Sequence, residues 1–321
     1  MRDQPAGRLL ARLRPTQRTF LGDVDRVDDG VGGRCFLVGG AIRDLLLDRE
    51  PLDLDLIVED DIEAVIRRLE SSYPMNVERI TPRFGTARCD VDGVGIVDLA
   101  QPRSEVYARP GALPDVSPGS LEHDLARRDF SINAIACRAN GEGALLDPHE
   151  GVADIEARTL RALHDRSMLD DPTRMLRAAR YGVRLGLRPS DALRQSMQQA
   201  IAAGVLFEIS ASRRSRELQL LWRGPRVIAS AETLVQFGLW EPLFACEAPS
   251  EAELDALRLL AERWPDPESR WVAILALIPA RRGATVRDAI LRNYEFPRSL
   301  RSLLTSDPDR LERCLRGDEL P

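Results

Sequence analysis

Residues 37–58 read LVGGAIRDLLLDREPLDLDLIV. The apolar run before the paired glycines predicts a strand over 34–38, broken at Gly39 and Gly40. AIRDLLLD then predicts a short helix over 41–48, and DLDLIV a second strand over 53–58. In a strand, residues i and i+2 point to the same face, so Asp53 and Asp55 project side by side. Two adjacent carboxylates repel, and the proton affinity of one rises. A divalent cation removes that conflict, and hard oxygen ligands at this spacing suit Mg²⁺, whose shell phosphate oxygens can complete. Taken alone, an Asp-x-Asp pair is equally compatible with two harmless acids on a solvent-facing strand edge.

The neighbouring residues add to the pair. Gly39-Gly40 end a strand and open a helix, where free backbone N–H groups can receive phosphate oxygens. Arg43, one turn in, can add a charge-assisted contact, and Asp44 can hold the loop. The bland reading is a strand–turn–helix that needs glycine for its turn. A third acid, Asp98, ends the strand GIVDLA and can approach the pair as a metal ligand or serve as a turn former.

Outward from this stretch, residues 61–71 predict an amphipathic helix, and strands are expected near 77–80, 84–90 and 94–99. Residues 101–120, with four prolines and two glycines, predict a long irregular functional loop. A helix is expected over 120–138 with Ser120 as N-cap, and residues 144–148 close the head. From 151 onward the pattern is helical, over 151–157, 170–186, 190–202, 212–222, 227–237, 250–263, 268–278, 284–293 and 297–304, with no strand and a fraying end over 305–321. The fold class is therefore α+β: a mixed-sheet head over 31–149 after an Arg-rich, partly helical extension over 1–30, then helical segments over 150–225 and 226–321.

With 321 residues, 44% hydrophobic and 30% charged, the chain reads as a multidomain globular protein. No 18-residue uncharged apolar run or signal-type segment is seen, so no membrane partner is expected and a cytoplasmic location is the default. The five cysteines are scattered and read as buried thiols. Every basic residue is arginine, which excludes Schiff-base chemistry and a Walker-type loop. Residues 31–150 carry 13 Arg against 22 acids, whereas residues 151–230 carry 14 Arg against 8. That asymmetry suits a metal-binding end followed by a polyanion-binding end.

Two further clusters fit that division. In LARRDFSINAIA (125–136), Arg127, Arg128 and Asp129 interrupt an apolar run, where they require pairing, with Arg to Asp129 as one option, or a bound anion. In LDDPTRMLRAARYGVRLGL (169–187), Asp170 is the expected N-cap. Asp171, Arg174, Arg177, Arg180 and Arg184 follow as a stripe that is either a solvated face or a donor and acceptor set for a nucleotide base and phosphates.

In this order, GGAIRD, DLD, ARRDFSINAIA, LLDPHEGVADIEARTLRAL, DDPTRMLRAARYGVRLGL and ISASRRSREL resemble the class II tRNA nucleotidyltransferase and poly(A) polymerase family over about residues 34–222. The resemblance implies a polymerase-β-type head followed by a helical neck, body and tail. It also implies template-independent addition of C and A from CTP and ATP to the tRNA 3′ end, with no DNA partner. By that likeness Asp53 and Asp55 bind Mg²⁺ and are catalytic, Gly39, Gly40 and Arg43 lie at the triphosphate, and Arg128 contacts the nucleotide. Asp171 and Arg174 then select the base, and Arg177 and Arg180 add nucleotide contacts. Siblings that add only CC or only A, or make poly(A), share these motifs, and a non-catalytic RNA-binding protein is a more remote alternative. The chain departs from the family at Asp170, usually Glu, at Ser131, usually Thr, and in ISASRR, with Arg213 where an acid is usual.

Overall fold

The computed structural model describes residues 5–27, 34–59, 61–81, 85–264 and 266–298. The expected fraying end at 305–321, and nearly all of the helix expected over 297–304, lie outside the described residues.

Two helices, α1 (Ala6–Leu10) and α2 (Pro15–Val27), make up the N-terminal extension. Strand β1 (Cys35–Val38) leads through Gly39 into α3 (Gly40–Leu46) and on to β2 (Asp53–Val58). Helix α4 (Ile62–Leu69) follows, capped by Asp61 and burying Ile62, Val65, Ile66 and Leu69 at helical spacing. Strands β3 (Met75–Thr81), β4 (Thr86–Val91) and β5 (Gly95–Ala100) form a meander. A short ribbon of β6 (Arg103–Val106) and β7 (Asp115–Pro118) then precedes α5 (Leu121–Ala126). Strand β8 (Ala136–Arg138) completes a six-stranded sheet ordered β3-β4-β5-β2-β1-β8. Only β2 and β5 pair in parallel, with Asp55 opposite Asp98; the other pairings are antiparallel.

The register explains the fate of the opening acids. Leu54, Leu56 and Val58 are buried on one face of β2, while Asp53 and Asp55 are half-buried on the other. Farther along that second face, Ile57 joins Phe36, Val38, Leu121 and Leu125 in an apolar cluster. The acids thus stand where the core beneath α5 ends.

The helical part comprises α6 (Gly151–Glu156), α7 (Ser167–Asp170), α8 (Thr173–Leu185), α9 (Asp191–Ala202), α10 (Ala211–Trp222), α11 (Val227–Gln236), α12 (Trp240–Phe244), α13 (Glu251–Arg263), α14 (Pro267–Arg282) and α15 (Ala284–Asn293). Capping follows the sequence: Ser190, Ser210, Ser250 and Asp266 each accept a hydrogen bond from the first turn they precede. Trp222, Trp240 and Phe244 form an aromatic core, with ring centroids 5.7 Å and 4.6 Å apart for the two pairs through Phe244. Each such burial stabilises the unit by roughly 1.5–3 kcal/mol.

The chain divides into two compact units. One holds residues up to Ala108 together with Pro114–Leu163; the other holds Arg109–Leu113 and His164 onward. Among the described residues no helix is long and apolar enough to cross a membrane.

Four expectations need correction. The helix expected over 120–138 stops at Ala126; a 3₁₀ turn (Ser131–Asn133) and β8 take up the rest. Its apolar residues had no clean period, and such a run does not separate helix from strand. The segment 101–120 carries the β6–β7 ribbon, so only its middle is irregular. Asp170 closes α7 instead of capping α8, and it is the Asp171 carboxylate that accepts from the Thr173 N–H at 3.1 Å. Two-residue strands, Thr159–Leu160 and Arg188–Pro189, interrupt the stretch read as wholly helical.

Candidate active site

In the first unit the chain gathers Gly39, Gly40, Arg43, Asp53, Asp55 and Arg128. Gly39 has φ of 66°, and a Cβ there would collide with the Arg128 guanidinium. A Cβ on Gly40 would lie 3.4 Å from Asp55 Oδ2 and 3.6 Å from Arg43 Nη2. Both glycines therefore provide the closeness that lets a charged cluster form around a strand–helix turn. Burial first, then the neighbouring Asp53 carboxylate, push the Asp55 carboxyl up to about 6. Asp98 is also raised, chiefly by burial, and its Oδ2 accepts from Arg88 at 2.7 Å.

The basic side of the cluster is fixed by acids that the sequence did not single out. Asp124, fully buried, is shared by two guanidiniums. Arg127 donates to its Oδ1 at 2.9 and 2.5 Å, and Arg128 to its Oδ2 at 3.2 and 2.9 Å. Arg127 also reaches Glu105 Oε1 at 2.8 Å, which Arg103 shares at 3.0 Å. Arg128 Nη1 donates to the Asn133 carbonyl at 3.2 Å. Arg43, only 4% exposed, is held by Asp44 at 2.9 Å and by Asn133 Oδ1 at 2.6 Å. Asp129 accepts from the Phe130 N–H and from Asn133 Nδ2. Bidentate guanidinium–carboxylate geometry of this kind fixes a side chain in one orientation. The spacing of Asp124 and Arg128, one helical turn, was a readable signal; Asn133 inside an apolar run was another.

The donor set fits a hard cation. The two carboxylates of β2 stand on one face of the strand; burial and the charge of Asp53 make Asp55 costly to ionise, and a bound divalent ion offsets both effects. Among the described residues no three acids, histidines or cysteines converge as a ready cage, so the pair suits an ion that completes its shell with phosphate oxygens and water.

The second unit holds the arginine stripe. Asp171 Oδ1 accepts from Thr173 Oγ1 and from Arg213 Nη2, both at 2.7 Å. Arg213 also donates to the Gly111 carbonyl at 3.3 Å, while the Gly111 N–H donates to the Asp170 carbonyl at 3.3 Å. Arg213, one of the three departures from the family pattern, thus braces Asp171. Arg174 is 5% exposed and donates to Ser167 Oγ at 2.7 Å. Burial and the charge of Arg174 hold the nearby His164 below the ordinary imidazole range, so it is neutral at pH 7. Arg177 donates to the Tyr181 hydroxyl at 3.4 Å, and Arg180 lies 4.8 Å from the Tyr181 ring centroid and pairs with Glu217 at 3.4 Å. Arg174 is buried, and Asp171, Arg177, Arg180 and Arg184 are half-buried.

Residues 35–161 match the poly A polymerase head domain. The chain is 40% identical over 233 residues to a CC-adding tRNA nucleotidyltransferase of Deinococcus radiodurans, covering 71% of this chain and 60% of that protein. It is 30% identical over 287 residues to a CCA-adding enzyme of Pseudomonas putida, covering 84% of this chain and 70% of that protein. The structure superposes on the apo form II of a CCA-adding enzyme with a TM-score of 0.81 at 26% identity, over 97% of this chain and 76% of that one. The chain spans less than two thirds of the length of several relatives, only 26% in the case of an A-adding tRNA nucleotidyltransferase of Aquifex aeolicus.

Proposed function

The chain belongs to the class II tRNA nucleotidyltransferase and poly(A) polymerase family, and from that premise we propose that it adds C, A or both to the 3′ end of tRNA in the cytoplasm without a nucleic-acid template. The observation that carries the reading is the Asp53–Asp55 pair facing Gly40 and flanked by Arg43 and Arg128. The tRNA 3′ hydroxyl attacks the α-phosphate of CTP or ATP; the bond to the β-phosphate breaks, and pyrophosphate leaves. Asp53 and Asp55 would hold Mg²⁺, which would supply activation of the hydroxyl and neutralisation of triphosphate charge. Gly39, Gly40 and Arg43 line the triphosphate, and Arg128, clamped by Asp124, orients the nucleotide. Asp171 and Arg174 present an acceptor and donors to the base edge, with Arg177 and Arg180 beside them.

A narrower activity, CC addition or A addition alone, is the second reading, favoured by the 40% and 36% identities to relatives of those specificities. One experiment separates the readings. Purified protein is given tRNAs ending before CCA, after C and after CC, each with CTP, ATP or both, and products are sequenced. Asp53→Ala and Asp55→Ala are expected to lower Mg²⁺-dependent incorporation by at least about 10³-fold, near the size of other electrostatic contributions to a transition state. Incorporation at the wild-type rate by either variant would overturn the mechanism, whereas no incorporation by the wild-type protein would leave RNA binding without catalysis as the reading.

A further inference from the structure

Apart from the arginine stripe, the second unit carries a groove, polar at one end and more apolar at the other, between the C-terminal end of α8, helix α9 and helix α11. It consists of two adjoining clefts, of about 500 and 380 Å³, that share Arg194, Gln236 and Phe237. Arg188 and Thr233 line the first, and Gln198 and Met197 the second. Among the described residues no carboxylate lines either cleft; the acids of these helices, Asp191 and Glu232, lie outside the lining. Arg188 and Arg194 are exposed, and among the described residues neither meets a carboxylate or a hydrogen-bond acceptor. That sets them apart from Arg161, Arg166, Arg180, Arg213 and Arg223, all of which are paired with acids.

The shape supports a chain-like ligand. Two clefts run on from one another, and Gly186 at the end of α8, with φ of 69°, leaves open space where a side chain would stand. The first cleft is mainly polar, with two guanidiniums, a hydroxyl and an amide; the second adds an amide to a mainly apolar wall of Met197, Ile201, Val235 and Phe237. This is the mixture that contacts a sugar–phosphate backbone: cations for phosphate, small polar groups for ribose hydroxyls, apolar atoms for the sugar face. The groove begins at Gly182, eight residues and hence about 12 Å along α8 from Arg174. A strand whose end is read at Arg174 reaches it within a few nucleotides.

We propose that this groove holds the backbone of the RNA substrate, with Arg188 and Arg194 on its phosphates. The inference rests on the functional reading above and adds a place where RNA is gripped without being read. Backbone contacts carry no sequence information, which suits substrates that share a 3′ end and differ elsewhere.

The test uses the full chain with Arg188→Ala and Arg194→Ala combined, and Arg216→Ala, an exposed arginine elsewhere, as control. The double variant is expected to raise the KM for tRNA about tenfold while leaving kcat at saturating tRNA and the KM for CTP and ATP unchanged. The slope of log affinity for tRNA against log salt should fall by about 1.4–1.8, the loss of two phosphate contacts. Unchanged tRNA KM and salt slope would overturn the proposal and leave the groove to another ligand, such as an acidic protein. Equal loss in nucleotide KM would overturn it too, by assigning these arginines to the nucleotide site. If the wild-type protein adds no nucleotide to any tRNA, the functional reading fails, and filter binding of tRNA to wild type and variant still decides the groove.

Discussion

The most informative single residue is Asp55. Its carboxyl is held at about 6 against an ordinary 3.8, by burial and then by Asp53. The folded protein therefore binds this proton more tightly than the unfolded chain does. Below about pH 4 its contribution to stability is fully present, and it is lost as the pH rises through 6, a change on the order of 3 kcal/mol. Without metal, Asp55→Asn is thus expected to unfold at a higher temperature than wild type at pH 8, with little difference at pH 4. Mg²⁺ should raise the wild-type melting temperature more at pH 8 than at pH 5 and leave the variant unmoved; a metal shift independent of pH would contradict the site. The pair itself was legible, because strand alternation puts i and i+2 on one face whatever surrounds them. The brace on Asp171 was not, since Arg213 lies 42 residues away and no local pattern predicts such a pairing.

At the scale of elements, the turn from β1 to α3 shows how backbone shape and charge are coupled. Gly39→Ala forces a left-handed φ on alanine and drives a methyl into Arg128. We expect a loss of at least about 1 kcal/mol in stability, and a nucleotide KM that rises more than the tRNA KM. Gly22→Ala, inside α2 with open space around it, serves as the control: stability should rise by about 0.5–1 kcal/mol and the nucleotide KM should stay unchanged. The strands around this turn were readable from alternation and turn residues. The region after Ser120 was not: Phe130, Ile132 and Ile135 are all fully buried, yet they belong to a loop, a 3₁₀ turn and the approach to β8. Burial from several sides erases the period on which a helix assignment depends. The cap at Ser120 was legible and forms a capping box with His123.

For the molecule as a whole, the second unit is closed by a buried cation. Arg214 donates to the carbonyls of Phe207 and Ile209 ahead of α10 and, at 3.1 and 2.7 Å, to Asn293 at the end of α15. Burial holds its proton affinity below the usual guanidinium range, so the position is kept by these acceptors and not by an acid. Arg214→Ala leaves three carbonyls short of a partner and is expected to cost about 3–5 kcal/mol, read as a lower urea midpoint at unchanged slope. The division into units carries a further consequence, for dissection. Residues 109–113 fold with the second unit although the chain on both sides of them belongs to the first. A fragment that begins at His164 would keep Asp171 and Arg213 but lack Gly111, which accepts from Arg213 and donates to Asp170. A fragment cut at this border would therefore need a short added peptide spanning Gly111 to complete the network of Asp170, Asp171 and Arg213.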